Sequence, residues 1–232
     1  MNKHFRYFNS SPEIIRLAVM MYVRFPLSLR NVEEILFERG IDISHETVRF
    51  WWNRFGPLFA SEIRKKRLNH PVRHSNWRWH LDEVFVKVSG ERRYLWRAVD
   101  HEGTVLDAVV TKKRDRKAAL KLLKTLMKCY GRPAVIVTDR LKSYSSALRG
   151  LRFSGDHEVG RWMNNRAENS HLDFRRKERA MCKFRSDKTL QKFTAIQGQV
   201  HNHFNGDRHL ATRQHYRENR SAALAEWRQL AA

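Results

Sequence analysis

Cys129 and Cys182 are the only cysteines among 232 residues. Both fall in segments of helical pattern and neither belongs to a C-x-x-C pair, which excludes a disulfide framework and a cysteine-built zinc site as organising features. Long apolar runs are missing as well. Charged and polar residues interrupt residues 1–23, so neither a signal peptide nor a membrane span is read there, and a cytoplasmic protein is expected. No glycine-rich loop of the G-x-x-x-x-G-K-[ST] type is present, which disfavours ATP-driven chemistry and a nucleotide cofactor. Acidic residues are scarce: 24 Asp+Glu face 46 Lys+Arg, giving a net charge of +22 spread along the whole length. That excess suits a polyanionic partner and favours nucleic acid, although ribosomal and membrane-surface proteins can be equally basic. Seven Trp, thirteen Phe and 41% hydrophobic content argue for packed domains rather than a solvated basic arm.

The first 63 residues read as a small helical domain. Ser11-Pro12-Glu13 offers an N-cap, a first-turn proline and a first-turn acid, and Ile14, Leu17, Ala18, Met21 and Tyr22 then share one face of a helix over 12–24. A second helix is expected from Ser28 to Arg39, stopped by Gly40. A third begins after Ser44 and carries Val48, Trp51, Trp52 and Phe55. Helix, glycine-containing turn and helix form a helix-turn-helix arrangement with 44–54 as the candidate recognition helix. His45, Glu46, Arg49 and Asn53 are its exposed positions, and the first, third and fourth are taken as DNA-binding candidates. A purely structural or dimerising helical module shares these features. Residues 64–78, basic and broken by Pro71, read as a linker.

From 79 to 205 the pattern is that of an α/β domain. Three strands over 79–89, 92–100 and 104–111 are separated by turn signals. An amphipathic helix over 114–130, a doubly buried strand over 134–138 and a helix near 141–150 follow. An irregular or strand segment near 153–162 and helices at 165–183 and 187–204 complete the order β-β-β-α-β-α-β-α. Residues 206–232 form a basic tail, helical in part.

Two aspartates occupy costly positions. Asp82 lies inside the first strand, and Asp139 directly follows the apolar strand Ala134-Val135-Ile136-Val137-Thr138. In a mixed sheet, ligands gather at the carboxyl ends of strands. Glu168 opens a long helix that can cross the sheet toward the same point. Three converging carboxylates suit Mg²⁺ or Mn²⁺, two ions being expected, and such a pair supports phosphodiester chemistry. The alternatives are that Asp139 is a helix N-cap and that Glu168 serves the helix dipole. The His201-x-His203 pair is a poor chelate on a helix, since residues two apart do not face each other. His80 flanks the Asp82 strand, and His157 or His171 lines the cavity. Trp51, Trp52, Trp77, Trp79, Trp96 and Trp162 are read mainly as core; an exposed one can stack on a flipped base.

W-H-L-D-E at 79–83, V-T-D-R-L-K-S-Y at 137–144, and N-N-R-A-E-N-S-H at 164–171 followed by F-R-R-K-E-R at 174–179 resemble the three motif blocks of bacterial insertion-sequence transposases of the DDE type, in the insertion-sequence-six family. The resemblance covers nearly the whole chain, including S-L-R-N-V-E-E-I-L-F-E-R-G-I at 28–41. It implies a ribonuclease H-like catalytic core and a helix-turn-helix for the element's terminal repeats. Its implied acid triad, catalytic and metal-holding, is Asp82, Asp139 and Glu168, although the 28 residues between the last two are fewer than in many DDE enzymes. It also points to Arg175, seven residues after Glu168, as a contact to the DNA backbone, with Arg176, Lys177 and Arg179 interchangeable with it. Lys142 in the second block is a further DNA-binding candidate. Asn164, Asn165 and Asn169 cap the helix or contact DNA, capping being favoured for the first two. The expected function is cleavage at element ends and transfer of the 3′-hydroxyl into target DNA by at least a dimer. A ribonuclease H-like nuclease that cuts without joining, and an inactive DNA-binding relative, share the same features.

Overall fold

Helix starts follow local capping chemistry. In α1 (Pro12–Arg24) the Ser11 hydroxyl accepts the Ile14 N–H, and in α2 (Leu29–Phe37) Ser28 and Asn31 form a reciprocal capping box. Gly40, at φ +73°, ends the turn after α2, and the Ile41 N–H reaches back to the Leu36 carbonyl. The computed structural model describes residues 4–69, 77–160, 164–181, 184–204 and 212–231. The chain divides into two units, Met1–Asn69 with Gln199–Ala232, and His70–Gly198.

In the first unit α3 (His45–Asn69) is longer than the sequence suggests. It continues through Pro57 because Phe55, Phe59 and Ile63, spaced four apart, are all buried, and that apolar stripe outweighs the hydrogen bond that proline removes. Residues 64–69, expected in the linker, are therefore helical; 70–76 lie outside the described residues. The buried face of α1 is also rotated by one position, with Ile15, Ala18, Val19, Tyr22 and Val23 inside. Helix α8 (Arg213–Trp227), drawn from the expected tail, packs onto these helices. Its Trp227 is buried, meets Phe59 and Phe204 at 5.5 and 5.6 Å between ring centroids, and donates its indole N–H to the Arg16 carbonyl at 3.1 Å. Arg16 donates to the Leu230 carbonyl at 2.7 Å, and Glu62 accepts the Ala231 N–H.

The second unit is built on one five-stranded sheet. Strands β1 (Arg78–Val88), β2 (Glu91–Asp100) and β3 (Val105–Thr111) form an antiparallel meander, its first turn made by Ser89 and Gly90, both at positive φ. After α4 (Arg116–Tyr130), strand β4 (Val135–Thr138) pairs parallel to β1. After α5 (Lys142–Gly150), strand β5 (Asp156–Val159) pairs parallel to β4. The order is β3-β2-β1-β4-β5, the ribonuclease H-like α/β arrangement expected above. Helices α6 (Asn165–Ala180) and α7 (Asp187–Phe204) follow, α7 running from this unit into the first. Gln191 of α7 covers the β3 edge, its amide accepting the Val110 N–H and donating to the Ala108 carbonyl, both at 2.8 Å.

No helix among the described residues is long and apolar enough to cross a membrane. Trp51, Trp52, Trp79 and Trp96 are core residues, while Trp77 is exposed and Trp162 lies outside the described residues. Truncating the most enclosed aromatic of α8, Trp227→Ala, should cost about 3–5 kcal/mol in the first unit. Urea unfolding of the full chain checks this, and an unchanged profile would show that α8 contributes nothing to that core.

Candidate active site

The candidate site lies where pairing between β1 and β4 stops. The last matched pair is Leu81 with Thr138, so Asp82 and Glu83 on one strand and Asp139 just past the other lie together at the end of the shared ladder. Adjacent strand residues point to opposite faces, but a group beyond the tip of β4 is reached from both. One oxygen each from Asp82, Glu83 and Asp139 falls within 4.8 Å of the others. Sequence reasoning singled out the two aspartates and not Glu83, because strand alternation leaves no local mark that two neighbouring residues reach one point.

Each carboxylate has its own support. Glu83, with its side chain 1% exposed, accepts Arg114 Nε at 2.6 Å on one oxygen and the Tyr144 hydroxyl at 2.9 Å on the other. Arg114 precedes α4 and also reaches Asp139 Oδ2 at 3.4 Å. Asp139 Oδ1 accepts the Leu141 N–H at 3.0 Å; the N-cap position of α5 is Leu141 itself, with no side-chain cap, so Asp139 shapes the turn before the helix. Asp82 Oδ2 lies 3.4 Å from Nε2 of the buried His171 on α6. Burial holds the His171 imidazole below its usual pKa against the raising effect of Asp82, and the charges of Arg97 and Arg175 add to the lowering.

Helix α6 is fastened to β1 beside this group. Asn164 sits at its N-cap position but makes no side-chain cap; its amide instead donates to the Leu81 carbonyl at 2.7 Å, one residue before Asp82. Buried Arg97 of β2 donates to the Ser170 carbonyl from the same side. Glu168 lies in the first turn, exposed, three residues before His171. It stands outside the group of oxygens within 4.8 Å.

The candidate DNA contacts fall in two places. On α3, His45 pairs with Glu33 at 3.0 Å, Arg49 with Glu46 at 2.6 Å, and the Asn53 amide donates to the Arg49 carbonyl at 2.9 Å. In the second unit Lys142 is exposed at the start of α5, and Arg176 is exposed with Asp173 3.5 Å away. Arg175 donates to the Phe85 carbonyl at 2.6 Å and pairs with Glu178 at 2.7 Å. His157 contacts Thr138 at 2.9 Å, and within the first unit His203 contacts the Ala223 carbonyl at 2.7 Å.

The carboxylates fit hard divalent cations. Three acids within reach of one point carry a formal charge of −3, and among the described residues Arg114 is the guanidinium that pairs with them, so an excess of negative oxygen remains. Electrostatics at Glu83 express the same crowding. Burial first, and then the Asp139 charge, push its carboxyl up to about 7, against the lowering effects of Tyr144 and Arg114. Its folded value therefore exceeds the ordinary 4.5, and the fold binds this proton more tightly than the unfolded chain does. Stability from this group is fully present below about pH 4.5 and is lost as pH rises toward 7. Glu83→Gln should remove that decline, so melting temperatures of variant and wild type in EDTA should shift in the variant's favour across this interval; parallel curves would contradict it.

Comparison with known proteins places the chain in a family. A protein-family profile described as a DDE domain matches residues 76–207. The transposase for insertion sequence-like element IS431mec of Staphylococcus aureus is 33% identical over 173 residues, covering 72% of this chain and 75% of the relative. The transposase for insertion sequence element IS257 in transposon Tn4003, from the same organism, is 32% identical with the same coverage. An uncharacterised protein of Methanocaldococcus jannaschii is 32% identical over 155 residues, 65% of this chain and 67% of that one. Similar solved structures include the HTLV-2 integrase catalytic core domain in complex with magnesium in its trimeric form, at TM-score 0.42 and 16% identity, covering 61% of this chain and 96% of that one. The catalytic domain of Mos1 mariner transposase aligns at TM-score 0.37 and 11% identity, covering 75% and 92%. With the family profile spanning most of the α/β unit and curated relatives matched over three quarters of their length, the chain belongs to the insertion-sequence-six family of DDE transposases.

Proposed function

We propose that Asp82, Asp139 and Glu168 carry cleavage at the element's ends and strand transfer into target DNA, using a pair of Mg²⁺ or Mn²⁺ ions. The observation that carries the reading is the meeting of Asp82 and Asp139 at the end of the β1–β4 ladder, in a chain of net charge +22. Glu168 belongs with them because His171, three residues on along α6, already approaches Asp82. Residues three apart share a helix face, and Asn164 holds that end of the helix against β1. Divalent cations at such carboxylates supply Lewis-acid stabilisation to the entering and departing oxygens. The chain's own contribution is to hold the carboxylates convergent, with Arg114 and Tyr144 fixing Glu83 and His171 beside Asp82.

The reaction runs in two in-line displacements. Water attacks phosphorus at the element end, the bond to the 3′-oxygen breaks, and a free 3′-hydroxyl results. That hydroxyl then attacks a target phosphodiester, forming the new phosphorus–oxygen bond and releasing the target's own 3′-hydroxyl. Double-stranded DNA is thus both substrate and target, and pairing two element ends calls for at least a dimer acting in the cytoplasm. His45, Arg49 and Asn53 on α3 supply contacts to the terminal repeats, and Lys142, Arg175 and Arg176 to the DNA backbone.

The test is strand transfer of a labelled duplex carrying the DNA that borders the coding sequence, in Mg²⁺ or Mn²⁺ against EDTA. Asp82→Asn, Asp139→Asn and Glu168→Gln should each lower joining on the order of 10²- to 10³-fold or more while leaving duplex binding intact. Retained joining by any variant removes that residue from the set. Cleavage without joining by the wild type would identify a nuclease, and binding alone an inactive relative.

A further inference from the structure

Beside the carboxylates lies a depression of about 360 Å³ lined by Glu83, Val84, Phe85, Arg92, Tyr94, Arg114 and Arg175. Its floor is one face of the sheet. Glu83 and Phe85 alternate onto that face of β1, and Tyr94 lies directly opposite Phe85 on β2. At the Glu83 end the face is covered by α5, whose Tyr144 reaches Glu83 and stands edge-on to Trp96 at 5.4 Å. At the other end it is open, and Phe85 is 50% exposed.

Three guanidiniums border this opening. Arg92 and Arg175 lie 5.2 and 5.4 Å from the centroid of the Phe85 ring, a cation–π arrangement that restrains both. Arg175 arrives from α6 past the edge of β1 that β4 leaves uncovered, and caps the Phe85 carbonyl there. Arg114 belongs to the depression and to the carboxylate group at once, through Glu83 and Asp139. Arg175 has Glu178 as a partner, whereas Arg92 has no carboxylate partner among the described residues. Three arginines against one glutamate make the lining cationic, next to a site whose own groups are acidic.

We propose that this depression holds the sugar-phosphate backbone of one DNA strand immediately beside the reactive phosphodiester. Arg92 and Arg175 donate to its phosphates, and Phe85 is the positioning residue that sets the two guanidiniums. Arg114 marks the border between the strand and the reaction centre. The occupant is a single strand's backbone rather than a free small anion because the depression is open along the sheet and continuous with the carboxylates that act on that strand. The assignment rests on the reading of Asp82 and Asp139 as the reaction centre.

The experiment uses the full chain in EDTA, where no chemistry proceeds, and duplexes carrying the element's end with neutral methylphosphonate linkages placed singly on either side of the cleavage position. Wild-type affinity should fall when a linkage next to that position is neutralised. Arg92→Ala should weaken binding of the unmodified duplex, reduce its salt slope by about 1, and become insensitive to the same neutral linkage. Phe85→Ala should act like Arg92→Ala and Phe85→Tyr like wild type, an aromatic rescue that a general folding defect would not show. Equal sensitivity of wild type and Arg92→Ala to every neutral linkage overturns the strand assignment. Strand transfer by the wild type in Mg²⁺ is measured alongside: joining present without that coupling defeats this inference alone, and metal-dependent joining absent defeats the reading of the carboxylates and this inference with it.

Discussion

Like charges held within 4.8 Å of one another repel by a few kcal/mol per pair at an effective dielectric of about 20, and the catalytic unit is organised around sustaining that arrangement. Glu83 is clamped from both sides by Arg114 and Tyr144, Asp139 takes a backbone N–H and the far end of the same guanidinium, and Asp82 faces a buried imidazole. The hydroxyl of Tyr144, its pKa raised by burial and by Glu83, stays protonated and can only help Glu83 as a donor. Each support reduces the repulsion without cancelling the negative excess, which is the condition a hard cation needs.

The short β4 is what makes this geometry possible. Four residues pair with β1 and then the ladder ends. Asp139 consequently stands at an open tip, and among the described residues β1 keeps an edge without a strand beside it until Phe184 bridges Val88. From one face α5 delivers Tyr144; from the other α6 brings His171 to Asp82 and Arg175 to the Phe85 carbonyl. A longer β4 would cover the edge that Arg175 uses. The acidic centre and the cationic depression are thus two results of one truncated strand.

The first unit obeys a different constraint. A three-helix module of this size has little apolar area to bury, and α8 adds to it. The buried Trp227 and Leu230, together with the exchange of hydrogen bonds between Arg16 and the C-terminal segment, complete a core that α1, α2 and α3 share. On the outer side of α3 the polar side chains are held in local pairs, His45 with Glu33 and Arg49 with Glu46.

Patterns of short range were legible in the sequence: the α1 boundaries, the Ser11 and Ser44 caps, the order of strands and helices, and the unusual placement of the two aspartates, because periodicity, turn chemistry and a charge in an apolar strand leave local marks. The motif blocks added the family and the ribonuclease H-like core. Tertiary packing decided what depends on partners distant along the chain. It turned the buried face of α1 by one residue, carried α3 through Pro57 on the strength of a buried stripe, and drew 213–227 back onto the N-terminal helices. It also gave Asn164 to the Leu81 carbonyl instead of a cap, and placed Glu83 and Arg114 at the centre of the site. A strand's alternation says that Asp82 and Glu83 face opposite ways; only the point where a neighbouring strand ends determines that one aspartate can meet both.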